Sequence, residues 1–118
     1  MQICDEGYRV WHEPDGATDG AVVCFEGSLR LPSSGYEPIW GLLIDVLDRA
    51  PPAITLDLSR LAFLNSSGIN ILYRFAVELR GRGDASQLTV RSGPAAWQRK
   101  SLPNLQRFLP SVAIVPPA

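Results

Sequence analysis

Apolar and polar positions follow one another along this chain in two rhythms, a short one that predicts strands and a longer one that predicts helices. Tyr8 to His12 and Ala21 to Glu26 are short runs rich in β-branched and aromatic residues. Pro14-Asp15-Gly16 and Asp19-Gly20, strong turn formers, separate them, so the pair reads as two N-terminal strands. Beyond Pro32-Ser33-Ser34-Gly35 the spacing lengthens. Ile39, Leu42, Leu43, Val46 and Leu47 recur at helical intervals and predict a helix over Tyr36 to Arg49, with Pro38 tolerable in its first turn and a stop at Pro51-Pro52.

Ala53 to Leu58 is nearly all apolar and reads as a buried central strand, Asp57 near its end excepted. Ser67 to Arg80 carries the strongest helical pattern, closed by Gly81 and Gly83. Leu88 to Arg91 is a further strand. Pro94 to Phe108 reads as helix opened by Pro94 and broken or restarted at Pro103, and Val112 to Val115 is a last short strand before a frayed Pro116-Pro117-Ala118 tail. Strands alternating with helices imply right-handed crossovers and parallel pairing, to which the first hairpin adds an antiparallel portion. The expected architecture is an α/β mixed sheet in one domain spanning residues 1–118, without repeats, low-complexity blocks or linkers.

Composition narrows the chemistry. Apolar residues form 46% of the chain and charged residues 19%, a globular balance, and a fold of this length buries roughly two-thirds of its unfolded surface. Eleven basic against twelve acidic residues give no electrostatic footprint for nucleic acid or an anionic membrane. Arg80 and Arg82 sit where cations offset a helix dipole, which accounts for them without nucleic acid. No apolar stretch is long enough to span a membrane and the N-terminus lacks a basic, apolar leader, so the cytoplasm is the default location, without membrane insertion. Cys4 and Cys24 lie too far apart for a Cys-x-x-Cys site and His12 is the only histidine, so neither a metal nor a cofactor is expected. Cys24, inside Ala-Val-Val-Cys-Phe, reads as a buried thiol.

The densest signal runs from Ile54 to Ile69, where a strand leads through a short apolar loop into a helix N-terminus. Asn65, Ser66 and Ser67 are all good capping residues, because their side-chain oxygens accept from unpaired N–H groups of the first turn. At about 100° per residue, Gly68, Leu72, Phe75, Ala76 and Leu79 share one stripe that must face the core. Ser66, Asn70, Tyr73 and Val77 fall on the opposite side. An aromatic and a branched aliphatic residue in solvent beyond a hydroxyl fit a docking surface, and they fit equally the scattered apolar residues of any protein surface.

The run Leu-Asp-Leu-Ser-Arg-Leu-Ala-Phe-Leu-Asn-Ser-Ser-Gly-Ile, with a following helix and a Gly81-x-Gly83 stop, resembles the STAS domain of bacterial anti-sigma factor antagonists. The hallmark of that family is Asp-Ser-Ser/Thr-Gly between a strand and a helix. Phe25-Glu26-Gly27-Ser28-Leu29 is similar to its second strand and exit, and the likeness extends loosely over most of the chain. The resemblance implies a four- or five-stranded mixed sheet with helices packed mainly on one face. It also implies a non-enzymatic role in transcription regulation, in which the antagonist binds an anti-sigma factor or serine kinase until its first motif serine, Ser66 here, is phosphorylated. Asn65, Ser66, Ser67, Asn70, Tyr73 and Val77 are the partner-binding residues that follow. Asn65 stands where the family usually carries Asp, which leaves open an unphosphorylated binder, or a STAS adaptor in a transporter or stress-signalling assembly.

Enzyme chemistry finds little footing. Gly-x-Ser-x-Gly is absent, His12 lies in a distant element, and Lys100, the only lysine, belongs to no Ser-x-x-Lys arrangement. The glycines at Gly81-Arg82-Gly83 and at Gly93-Pro94 lack the spacing of a phosphate-binding loop.

Overall fold

The computed structural model describes residues 2–14, 20–83 and 86–116. The turn expected at Asp15-Gly16 and Asp19, and the Pro117-Ala118 end of the tail, lie outside the described residues. Six strands form one sheet in the order β1-β2-β3-β4-β5-β6, so each strand lies beside its neighbour in sequence. They are β1 (Gln2–Asp5), β2 (Tyr8–Pro14), β3 (Ala21–Leu29), β4 (Ala53–Leu64), β5 (Gln87–Arg91) and β6 (Ala113–Val115). The first two pairings are antiparallel and the other three parallel, as the alternation of strand and helix requires. The crossovers are α1 (Glu37–Asp48), preceded by a 3-10 turn at Ser33–Tyr36, then α2 (Ser66–Gly81), then α3 (Ala96–Ser101), a 3-10 turn at Leu102–Asn104 and α4 (Leu105–Phe108). No helix among the described residues is long and apolar enough to cross a membrane.

The sheet is one strand larger than the four or five expected. The addition is β1, whose sequence Gln-Ile-Cys-Asp holds one residue packed against the core, Ile3. So short and polar a run carries almost no period-2 signal. A tight turn at Glu6-Gly7, with Gly7 at φ +91°, folds it onto β2. β4 also runs six residues further than Leu58. Ser59 and Arg60 both face solvent, and the pairing with β3 shifts register between Cys24 and Glu26, so a bulge resets the alternation that a periodic reading follows.

For the buried stripes of the two long helices the periodic reading holds residue for residue. α1 buries Ile39, Leu42, Leu43, Val46 and Leu47, and α2 buries Gly68, Leu72, Phe75, Ala76 and Leu79. Both stripes join Val10, Val23, Phe25, Ile54, Leu56, Leu58, Leu88 and Val90 in one core on the helix side of the sheet. Cys24 points to the other face yet is 8% exposed, and burial pushes its thiol up to about 11, so it is a protonated packing group at neutral pH. Asp57, on the same face, accepts from the Ser59 amide at 3.0 Å and hydroxyl at 2.6 Å and meets Arg91 at 3.5 Å, an entirely structural engagement.

Gly41 marks slack in this packing. It is exposed in the interior of α1, and a Cβ there would meet nothing within 4 Å. Gly41→Ala is therefore expected to stabilise the fold by about 0.5–1 kcal/mol through helix propensity, read as a higher denaturant midpoint at unchanged slope.

Candidate interaction site at the tip of α2

Between the end of β4 and the start of α2 stands a single residue, Asn65, in extended conformation at φ −78° and ψ 175°. Its Oδ1 accepts from the Gly68 amide at 3.0 Å, the cap expected of this residue type. The same oxygen accepts from the Tyr36 hydroxyl at 2.6 Å, and Nδ2 donates to the Leu31 carbonyl at 2.9 Å. Its backbone amide donates to Leu29 O at 3.2 Å, continuing the β3–β4 ladder. Asn65 thus fastens the tip to the β3–α1 connection. Tyr36 is 1% exposed, and burial pushes its hydroxyl pKa up, which keeps it a donor.

This geometry explains why the residue is Asn. A carboxylate could accept from Gly68 and Tyr36 but has no hydrogen for Leu31 O, so it would set an anionic oxygen against a carbonyl. Asn65→Asp is expected to cost about 1 kcal/mol at pH 7, the lost bond and repulsion being partly offset by the helix dipole. The deficit should shrink in acid, where the protonated carboxyl regains a donor. Denaturant melts of the two proteins at pH 7 and pH 4 would check both the cost and its sign.

Ser66 opens α2 exposed, and among the described residues its hydroxyl has no hydrogen-bond partner. Ser67 is half-buried, its Oγ 3.2 Å from that of Ser33, so the starts of two helical segments touch at the tip. Asn70 is exposed, and Val77, at 52%, is one of two large apolar side chains among the described residues that stand clear in solvent. The first turn of α2 carries no acidic residue, leaving the positive end of the helix dipole without a counter-charge.

Tyr73 departs from the expectation that it projects into solvent. It leans toward the C-terminal helices, half-buried, with its ring stacked on Phe108 at 5.1 Å between centroids. Its hydroxyl donates to Ser101 O at 2.9 Å and receives Asn104 Nδ2 at 3.4 Å. At 100° per residue Tyr73 falls some 20° to one side of Ser66, enough for a neighbouring segment to claim it. The free stripe is Ser66, Asn70 and Val77, flanked by Tyr73 on one side and by Arg74, whose guanidinium lies 4.0 Å over the Trp40 ring, on the other. Sequence reading missed Tyr36, Leu31 and Ser33, which hold the tip from 29 to 34 residues away. The Pro-Ser-Ser-Gly turn was their only local sign.

Two solved structures share this architecture. The crystal structure of an anti-sigma factor antagonist from Mycobacterium paratuberculosis superposes with a TM-score of 0.68 at 24% identity, over 93% of this chain and 88% of the other. The STAS domain of an anti-sigma factor antagonist from Rhodobacter sphaeroides gives 0.53 at 15% identity, over 72% and 86%. The chain folds as a STAS domain. Neither a family model nor a curated protein sequence matches it. In this fold the chain carries its Asn65-Ser66-Ser67-Gly68 segment at the junction of β4 and α2, with the Ser66 hydroxyl free among the described residues and the asparagine locked into the scaffold.

Proposed function

We propose that this STAS domain is a non-enzymatic regulator of the anti-sigma factor antagonist kind, a cytoplasmic protein that binds an anti-sigma factor or serine kinase through the tip of α2. The observation that carries the reading is the unbonded, exposed Ser66 hydroxyl at the positive end of α2, in line with exposed Asn70 and Val77. Asn65 and Ser67 shape the tip, and Tyr73 borders the stripe. A phosphate on Ser66 would add about −1.5 to −2 charges where the fold tolerates them and a protein interface does not. The test is capture of the binding partner from the host, together with mass spectrometry of Ser66 with and without phosphatase. A partner of anti-sigma or kinase type and a phosphate on Ser66 are expected. A captured partner of another kind, or none that requires Ser66, would overturn the reading.

One observation favours a second reading, a STAS adaptor in a larger transporter or stress-signalling assembly that is never phosphorylated. The residue before Ser66 is an amide committed to Leu31 O, so that neighbour offers no carboxylate to assist its modification. A partner that binds undiminished from growing and stressed cells, with Ser66 unmodified in both, would decide for the adaptor.

A further inference from the structure

Beside α3 a cavity of about 440 Å³ opens. Its volume lies in the range of small-molecule sites. It sits past the carboxyl ends of two parallel strands, with Ser92 and Gly93 following β5 and Pro116 following β6, the end at which open α/β sheets take ligands. Leu102 and Ile114 supply its aliphatic surface, and Pro94, Pro103 and Pro116 stand around it. Proline fixes its own φ, so these walls are already formed and little ordering remains to be done on binding.

Two polar side chains of the lining are engaged inside the protein. Gln98 is 2% exposed and uses its whole amide inside the protein, accepting from the Gly93 amide at 2.6 Å and donating to Leu58 O at 2.8 Å and Leu61 O at 3.2 Å. The Ser92 hydroxyl donates to Val115 O at 2.7 Å. Arg99 brings the one charged side chain of the lining, and among the described residues its guanidinium has no ion pair, hydrogen bond or aromatic ring. A largely aliphatic cavity with one cation in its wall suits an apolar chain ending in an anion. No aromatic side chain lines the cavity to stack a flat ring.

We propose that this cavity binds an aliphatic carboxylate, its chain against Leu102, Ile114 and the three prolines and its carboxylate on Arg99. The site is separate from the α2 tip, and its occupancy does not depend on the partner-binding reading. The test is an NMR titration of the full chain with decanoate, decanol and acetate, below the concentration at which decanoate forms micelles. Decanoate should saturate one site, with amide shifts centred on Gly93, Arg99, Leu102 and Ile114. Decanol and acetate should each bind at least about tenfold more weakly, because each lacks one half of the recognition. Arg99→Gln, at an exposed position that leaves the fold intact, should weaken decanoate about tenfold without changing decanol, and Arg99→Lys should restore part of the loss. Shifts scattered over the surface, failure to saturate, or equal binding of decanoate to wild type and Arg99→Gln would each overturn the proposal.

Discussion

Ser66→Asp is expected to weaken partner binding about a hundredfold and to leave the thermal melt nearly unchanged. At the tip the new carboxylate meets the unpaired amides and the positive end of α2, where no acidic side chain yet sits. That is favourable by roughly 0.3–2 kcal/mol. In a complex the same charge must leave water, which costs several kcal/mol unless the partner supplies cations. A net penalty of about 3 kcal/mol corresponds to two orders of magnitude in affinity. Ser66→Asn, similar in size and capping strength but neutral, separates charge from shape and should bind far better than Ser66→Asp. Calorimetric titration against the captured partner reads the first effect and circular dichroism the second. Equal affinity of Ser66→Asp and wild type would place the tip outside the interface.

Gly68→Ala has the largest expected effect on stability, a loss of about 2 kcal/mol and roughly 5–10 °C in Tm. A Cβ at this position would lie 2.8 Å from the Tyr36 hydroxyl oxygen and closer still to the Leu64 side chain. Neither neighbour can yield easily. Tyr36 is 1% exposed and bonded to Asn65, and Leu64, 3% exposed, ends β4 in the core. Overpacking of this kind typically costs 1–3 kcal/mol, and displacing Tyr36 would add about 1 kcal/mol for the bond to Asn65. The gain in helix propensity, about 1 kcal/mol, offsets only part of this. The glycine of the motif is thus a packing requirement, which lets the first turn of α2 settle against the β3–α1 connection. Gly41→Ala makes the same chemical change where there is room, so the two should move the melt in opposite directions. A Gly68→Ala protein as stable as wild type would show that the tip is looser than this geometry requires.

Much of the candidate site could be read along the chain because its parts are local. The Asn65 cap, the start of α2 and the buried stripe from Gly68 to Leu79 depend on residues one to four positions apart, and hydrogen-bond reach and the 3.6-residue period fix those relations. What was not legible depends on segments distant in sequence. Nothing near Tyr73 announces that Ser101, Asn104 and Phe108 will fold back to take its hydroxyl and ring. Nothing near Asn65 announces that its Nδ2 will find Leu31 O, which turns a substituted motif position into part of the scaffold.

The sequence by itself determined the two amphipathic helices, the mixed sheet they cover, and a capped serine at the mouth of the second helix, because each follows from short-range periodicity and backbone hydrogen-bond demand. Only the tertiary structure decided which polar groups at that mouth remain free. Asn65 is consumed by the β3–α1 connection and Tyr73 by the C-terminal helices, while the Ser66 hydroxyl has no partner among the described residues. A side chain's availability depends on what packs beside it from elsewhere in the chain, and its own neighbours in sequence do not encode that.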